Sequence, residues 1–150
     1  MNMKWTKDRS IKLSLFCICF FAAALLVLDI YFCISGRRVL GRFLYRDQIT
    51  VFTIVFIICS IFAWICLYHL FRLLKNLDGE TVFNKANVAH LRTISWCCAG
   101  VAAATFAGCF SWGWFFIVTA ASGFMMLIVR IVKNVIEEAI DMKDELDYTV

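Results

Sequence analysis

Hydrophobic positions in this chain run in long blocks, and the polar residues collect between the blocks. The first block covers residues 13–35 with Asp29 as its only charge, and the second covers 50–71 with a single histidine, His69, near its end. From residue 93 to 129 there is no Asp, Glu, Lys, Arg or His at all. A helix of about 20 residues crosses a hydrocarbon core of about 30 Å, so each of the first two blocks makes one span. The third block as one helix would reach about 55 Å, which no bilayer matches. Ser111-Trp112-Gly113-Trp114 offers the break, with glycine permitting a tight turn and two tryptophans suited to a membrane surface. The pattern predicts spans over about 13–35, 50–71, 93–110 and 114–132, a cytoplasmic loop over 72–92 and a cytoplasmic acidic tail over 133–150. The first block is longer than the core of a cleavable signal and is followed by Gly36, Arg37 and Arg38, so it reads as a retained helix.

Backbone polar groups must be paired internally in lipid, which leaves helices for so few segments. The predicted fold class is all-α, a four-helix transmembrane bundle built from two helical hairpins. Charge supplies the orientation. Of the 15 Lys and Arg, only Arg37, Arg38, Arg42 and Arg46 fall between the first two spans and none falls in the second hairpin turn. The others flank the termini and the 72–92 loop, and the positive-inside rule makes both termini cytoplasmic. The four outer arginines strain that orientation. Either they meet lipid phosphates, Asp29 or Asp47, or the first hairpin is inverted.

With 63% hydrophobic, 16% aromatic and 17% charged residues, the composition excludes a soluble domain. Proline is absent, so the broken helices on which many transporter sites are built are not expected. No Gly-rich phosphate loop, catalytic triad or metalloprotease helix occurs, and the chain is expected to be no enzyme and to carry no cofactor. The eight cysteines include no Cys-x-x-Cys pair. Cys66 and His69 stand one turn apart but lack further ligands in sequence, so no metal site is expected and the cysteines read as small apolar filling.

Two features inside the spans are candidates for a role. Asp29 is the one acid in a span, and burying such a charge costs several kcal/mol. Counted from residue 13 it lies about 24 Å along its helix, near the outer headgroups, where solvent, Arg37 or Arg38 would satisfy it. Gly100, Ala104 and Gly108 recur every fourth residue and let two helix backbones approach closely, either within the bundle or across a homodimer.

The polar segments carry more. Asp78-Gly79 is a turn signal, Asn84 suits an N-cap, and Phe83 with Val88 has the spacing of a hydrophobic staple. The third helix is thus predicted to begin about two turns before it enters lipid. In the tail, Glu137, Glu138, Asp141, Asp144, Glu145 and Asp147 are interleaved with or follow Ile131, Val135, Ile136, Ala139 and Ile140 at helical spacing. The fourth helix should therefore continue as an amphipathic acidic extension. Anionic lipid repels such a segment and leaves it for a protein partner, although a solvated tail with no partner explains it equally.

Gly79-Glu80-Thr81-Val82-Phe83, then Asn87 and Leu91-Arg92, and finally Ala139 and Lys143-Asp144-Glu145-Leu146-Asp147-Tyr148-Thr149-Val150 resemble a bacterial integral membrane protein family, domain of unknown function 2975. The resemblance covers essentially the whole chain, with Leu146 at a position commonly polar in the family. It implies four spans and no established activity. It also implies an association with small helix-turn-helix regulators, and hence a membrane protein that holds or releases a transcription factor without itself binding nucleic acid. On that reading Gly79, Phe83, Asn84, Asn87, Leu91 and Arg92 would join Glu137, Glu138, Asp141, Asp144, Glu145, Asp147 and Thr149 in one docking surface. A small transporter or channel subunit, or a membrane-stress or bacteriocin-immunity factor, remains the alternative.

Overall fold

A computed structural model of the chain describes residues 3–42, 44–78 and 85–148. Among these residues there are four α-helices and no strand: α1 (Met3–Leu40), α2 (Arg46–Asp78), α3 (Lys85–Cys109) and α4 (Phe115–Tyr148). With no proline to remove a donor, each block winds into an unbroken helix that pairs its own backbone groups. At the start of α2 the Gln48 side chain reaches back to accept from the Tyr45 backbone N–H at 3.3 Å, half of a capping box. Asp47 in the same turn complements the positive end of the helix.

Consecutive helices run antiparallel. Phe32 of α1 stacks on Phe56 of α2 at 4.0 Å between ring centroids. Asn76 near the end of α2 bonds Asn87 near the start of α3. Thr119 of α4 donates to Thr105 of α3 at 2.9 Å. Backbones approach closely only between helices adjacent in sequence, so the described helices form a row in which α1 meets α2 alone. Both helical hairpins expected from the sequence are present among the described helices, with α1 standing apart from α3 and α4. Hydrophobic spacing identifies a helix but not its neighbours, and a lipid-facing helix needs no partner on every side.

Three stretches are long and apolar enough to cross a membrane: Ile11–Gly36, Arg46–Asn76 and Phe115–Leu146. Very few of their side chains are buried within the chain, and Phe16, Phe20, Ile57, Phe116 and Phe124 all expose more than half of their surface. Such a surface suits contact with hydrocarbon tails. The region of α3 after Arg92 is less apolar, being rich in Ala, Gly, Ser and Thr. It is also the best covered helix, with Asn87, Val88, Leu91, Ile94, Ser95, Cys97, Thr105 and Gly108 buried. Lying between α2 and α4, it has less surface to offer lipid and correspondingly less need of large apolar side chains.

Close approach depends on those small residues. A Cβ added at Gly100 would stand 2.6 Å from the Phe62 ring of α2, and one at Gly108 would stand 3.0 Å from the Phe115 ring of α4. At the second hairpin the Gly108 carbonyl accepts from the Ser111 and Trp112 N–H groups at 3.0 and 3.1 Å, and Phe115 N–H donates to the Trp112 carbonyl at 3.2 Å. The break falls where the sequence suggested, but not for the suggested reason. Gly113 does not adopt a left-handed conformation, and a Cβ there would meet nothing within 4 Å. An aromatic group seals this end: Phe52 meets Trp112 and Phe115 at 5.8 and 5.6 Å, and Gln48 donates to the Ser111 carbonyl at 3.3 Å.

These two glycines should separate in a thermal-unfolding measurement on detergent-solubilised protein. Gly113→Ala is expected to change stability by no more than about 0.5 kcal/mol, as for a surface substitution. Gly100→Leu should cost about 1–3 kcal/mol by forcing Phe62 aside.

Candidate functional site

The clearest surface feature lies at the end of the molecule that carries the last turns of α2, the start of α3 and the end of α4. α3 begins at Lys85, well before its uncharged region, and α4 passes Lys133 and continues to Tyr148. These two extensions pack on each other, and Val88 on one and Ile140 on the other are buried at the seam. Charges flank the seam. Lys85 Nζ stands 4.0 Å from Asp144 Oδ2, and Lys133 Nζ stands 2.7 Å from Glu137 Oε2 one turn along α4. A groove of about 390 Å³ runs between the extensions, lined by Lys85, Val88, Ala89, Arg92, Glu137, Ile140 and Asp141.

Within this surface the residues singled out by sequence divide. Arg92 and Glu137 line the groove, and Glu138, Asp141, Asp144 and Glu145 are exposed. Asn87 and Leu91 are not on offer to a partner: Asn87 is only 2% exposed and accepts from Asn76 Nδ2 at 3.1 Å, and Leu91 is buried beside it. Both instead lock α3 in place, because a buried amide keeps its position only where its hydrogen bonds are met. Asp147 lies on α4, but its side chain falls outside the described residues. Gly79, Phe83, Asn84 and Thr149, and with them the N-cap and staple, also lie outside the described residues.

Sequence reading missed a histidine pair. His69 of α2 and His90 of α3 approach to 2.9 Å between their Nδ1 atoms, a contact in which one ring must donate and the other accept. Arg72 stands nearby and is itself held by Tyr68, whose hydroxyl accepts from Arg72 Nε at 3.1 Å. Partial burial, then His69, then Arg72 hold His90 below the ordinary histidine value of 6.5. The two rings come from different helices, so only the docking of α2 on α3 creates the pair.

Asp29 also differs from its sequence reading. It is half-buried and bonds across to α2, accepting from Ser60 Oγ at 2.9 Å and from Trp64 Nε1 at 3.0 Å. Ser60 lies close to the middle of Arg46–Asn76, so Asp29 is level with the centre of α2 rather than with headgroups. Depth counted along α1 from residue 13 did not show this, because the position of α1 against α2 is a tertiary matter. Arg38 makes no ion pair with Asp29, and Arg37, whose side chain is outside the described residues, lies about 12 Å further along the helix. Ser60 and Trp64 are spaced to share a face of α2, the one signal by which sequence could have found them.

The small-residue stripe is occupied within the chain. Gly100 faces Phe62, Gly108 faces Phe115, and Ala104 lies half-buried between them. The first two thus meet aromatic rings of neighbouring helices in the same chain. Next to them Thr105, 1% exposed, donates to the Val101 carbonyl at 2.8 Å and accepts from Thr119. Among the described residues no three His, Cys, Asp or Glu side chains converge as metal ligands, so Cys66 and His69 gain no set of partners from the fold.

The fold thus defines an all-α membrane protein, with three helices long and apolar enough to cross a bilayer and an ordered two-helix extension. The family model described as Protein of unknown function (DUF2975) matches residues 4–150, and the chain belongs to that family. No curated protein and no solved structure matches it.

The histidine pair has a pH consequence. Because folding lowers the His90 pKa, the folded chain binds this proton less readily than the unfolded chain. Its contribution to stability is complete above about pH 6.5 and is lost as pH falls through the lowered value. Thermal unfolding in neutral detergent between about pH 7.5 and 5 should show this decline, and His90→Asn should flatten it.

Proposed function

We propose that the chain is a four-span protein of the cell membrane with both termini cytoplasmic, acting without catalysis as the membrane partner of a small basic helix-turn-helix regulator. Support for α3 as a fourth span comes from its lengthwise packing between α2 and α4, from Asn76–Asn87 at one end to Gly108 beside Phe115 at the other. Support for the orientation comes from the concentration of Lys and Arg around the termini and the α2–α3 connection.

One observation carries the docking reading: the acidic end of α4 is a helix seated on α3, with Val88 and Ile140 buried beside a shared groove, not a free tail. A preorganised helix loses less conformational freedom on binding than a disordered segment does. Glu138, Asp141, Asp144 and Glu145 are exposed along it. An acidic surface of this kind complements the basic face with which a DNA-binding protein meets phosphates, and occupying that face would keep the regulator from DNA. Lys133 already engages Glu137, so Glu138 and Asp141 are the acids offered first.

A small transporter or channel subunit is the second reading, favoured by the carboxylate of Asp29 at the level of the middle of α2. A membrane-stress or bacteriocin-immunity role draws no support from the described residues.

The docking reading is tested by purifying tagged protein from its native membranes and identifying what comes with it. A basic helix-turn-helix protein should accompany the unaltered chain and fall at least about tenfold with the double substitution Glu138→Lys and Asp141→Lys. Both positions are exposed, so the fold should persist. Equal recovery from both would remove the acidic face as the interface.

A further inference from the structure

The α1–α2 seam contains a groove of about 340 Å³ lined by Asp29, Phe32, Cys33, Thr53, Phe56, Ile57, Ser60 and Ile61. Four observations there point the same way. First, Asp29 is held by neutral donors alone among the described residues, the Ser60 hydroxyl and the Trp64 indole N–H. Trp64 can only donate, so the oxygen it meets is an acceptor. Two neutral donors fix the direction of the carboxylate without cancelling its charge, and an uncompensated charge at hydrocarbon depth is costly.

Second, the wall beside the carboxylate is aromatic. Phe32 and Phe56 stack at 4.0 Å, and Phe52 stands 6.2 Å from Phe32. Ring faces attract cations, more strongly when both partners are desolvated. Third, apart from Thr53, whose hydroxyl donates to the Ile49 carbonyl of its own helix, the rest of the lining is apolar, with Ile57 and Ile61 each more than half exposed. Fourth, the groove opens to the side: among the described helices α1 packs on α2 alone, and none of the others closes over the seam. A ligand would reach it from within the lipid, and a fully hydrated ion would not.

We propose that this groove binds a lipophilic organic cation, one that carries its positive charge inside an apolar or aromatic shell. Asp29 supplies the countercharge, Ser60 and Trp64 hold that carboxylate toward the groove, and Phe32 and Phe56 supply the ring faces. Depth separates this ligand from a lipid headgroup, because Ser60 lies about 15 Å from either end of residues 50–71, beyond the reach of an ammonium anchored at the surface. The inference concerns binding alone. It is independent of the acidic face on α4 and holds whether or not the cation is carried across the membrane.

The test uses the full chain in neutral detergent micelles and a pair of probes of matched size and shape, the tetraphenylphosphonium cation and the tetraphenylborate anion. Equilibrium dialysis against empty micelles reads the saturable component of each. The unaltered protein should bind the cation saturably and show no saturable binding of the anion. Asp29→Asn should weaken cation binding at least about tenfold, while Asp29→Glu should retain most of it. No saturable binding of the cation, equal binding of the anion, or an unchanged affinity in Asp29→Asn would each overturn the proposal. The comparison of the two probes on the unaltered protein decides the matter even where the Asp29→Asn variant does not fold. A regulator lost on charge reversal of α4 with the cation still bound, or the converse, separates this inference from the docking reading.

Discussion

α3 lies close against both of its neighbours, and most of the remaining structure depends on that approach. Helices in lipid gain nothing from hiding apolar surface, since the solvent is itself apolar, and they associate through close packing and polar contacts instead. Gly100 admits the Phe62 ring, Gly108 admits the Phe115 ring, and Thr105 meets Thr119 where the backbones of α3 and α4 converge. With α3 seated in this way, His69 reaches His90 and Asn76 reaches Asn87 at one end, while Gln48 reaches Ser111 at the other. The same seating extends beyond the apolar region and brings Val88 beside Ile140, which turns the end of α4 into a supported helix.

α1 stands outside this arrangement. Its contacts with α2 include an aromatic stack and the bonds from Ser60 and Trp64 to Asp29. This seam leaves a groove beside Asp29 that opens to the side. The protein is thus organised as a tight α2–α3–α4 unit with a loosely attached first helix. Its two candidate sites follow from that contrast, one on the supported end of α4 and one in the open seam beside α1.

Much of the fold could be read from the order of residues, because helix formation in lipid is a local requirement. Uncharged blocks, the absence of proline and the Ser111-Trp112-Gly113-Trp114 interruption bear on each segment separately; each block falls within one helix and the α3–α4 break falls at the interruption, although the helices run well past the uncharged blocks. The candidate sites were less legible. Exposed acids on α4 were visible as a composition change, but Asn87 and Leu91 carry the same motif and are buried. Sequence does not distinguish a residue that recognises a partner from one that holds the recognising element still. The depth of Asp29 was misjudged for a related reason: helical rise measures distance along one helix, whereas the environment of a side chain is set by the neighbour it meets.

By itself the sequence determined what each segment could be: apolar blocks wound as unbroken helices, and an acidic amphipathic end to the last. The spacing of its small residues also determined where α3 could be approached. Only the tertiary structure decided which helices meet, that α1 has a single neighbour, that two histidines face each other, and that Asp29 lies opposite the centre of α2. The physical reason is that hydrogen bonding within a helix is satisfied locally, residue by residue. The pairing of polar and aromatic side chains across helices depends on rotation and offset, which are fixed only when ring and glycine come into contact.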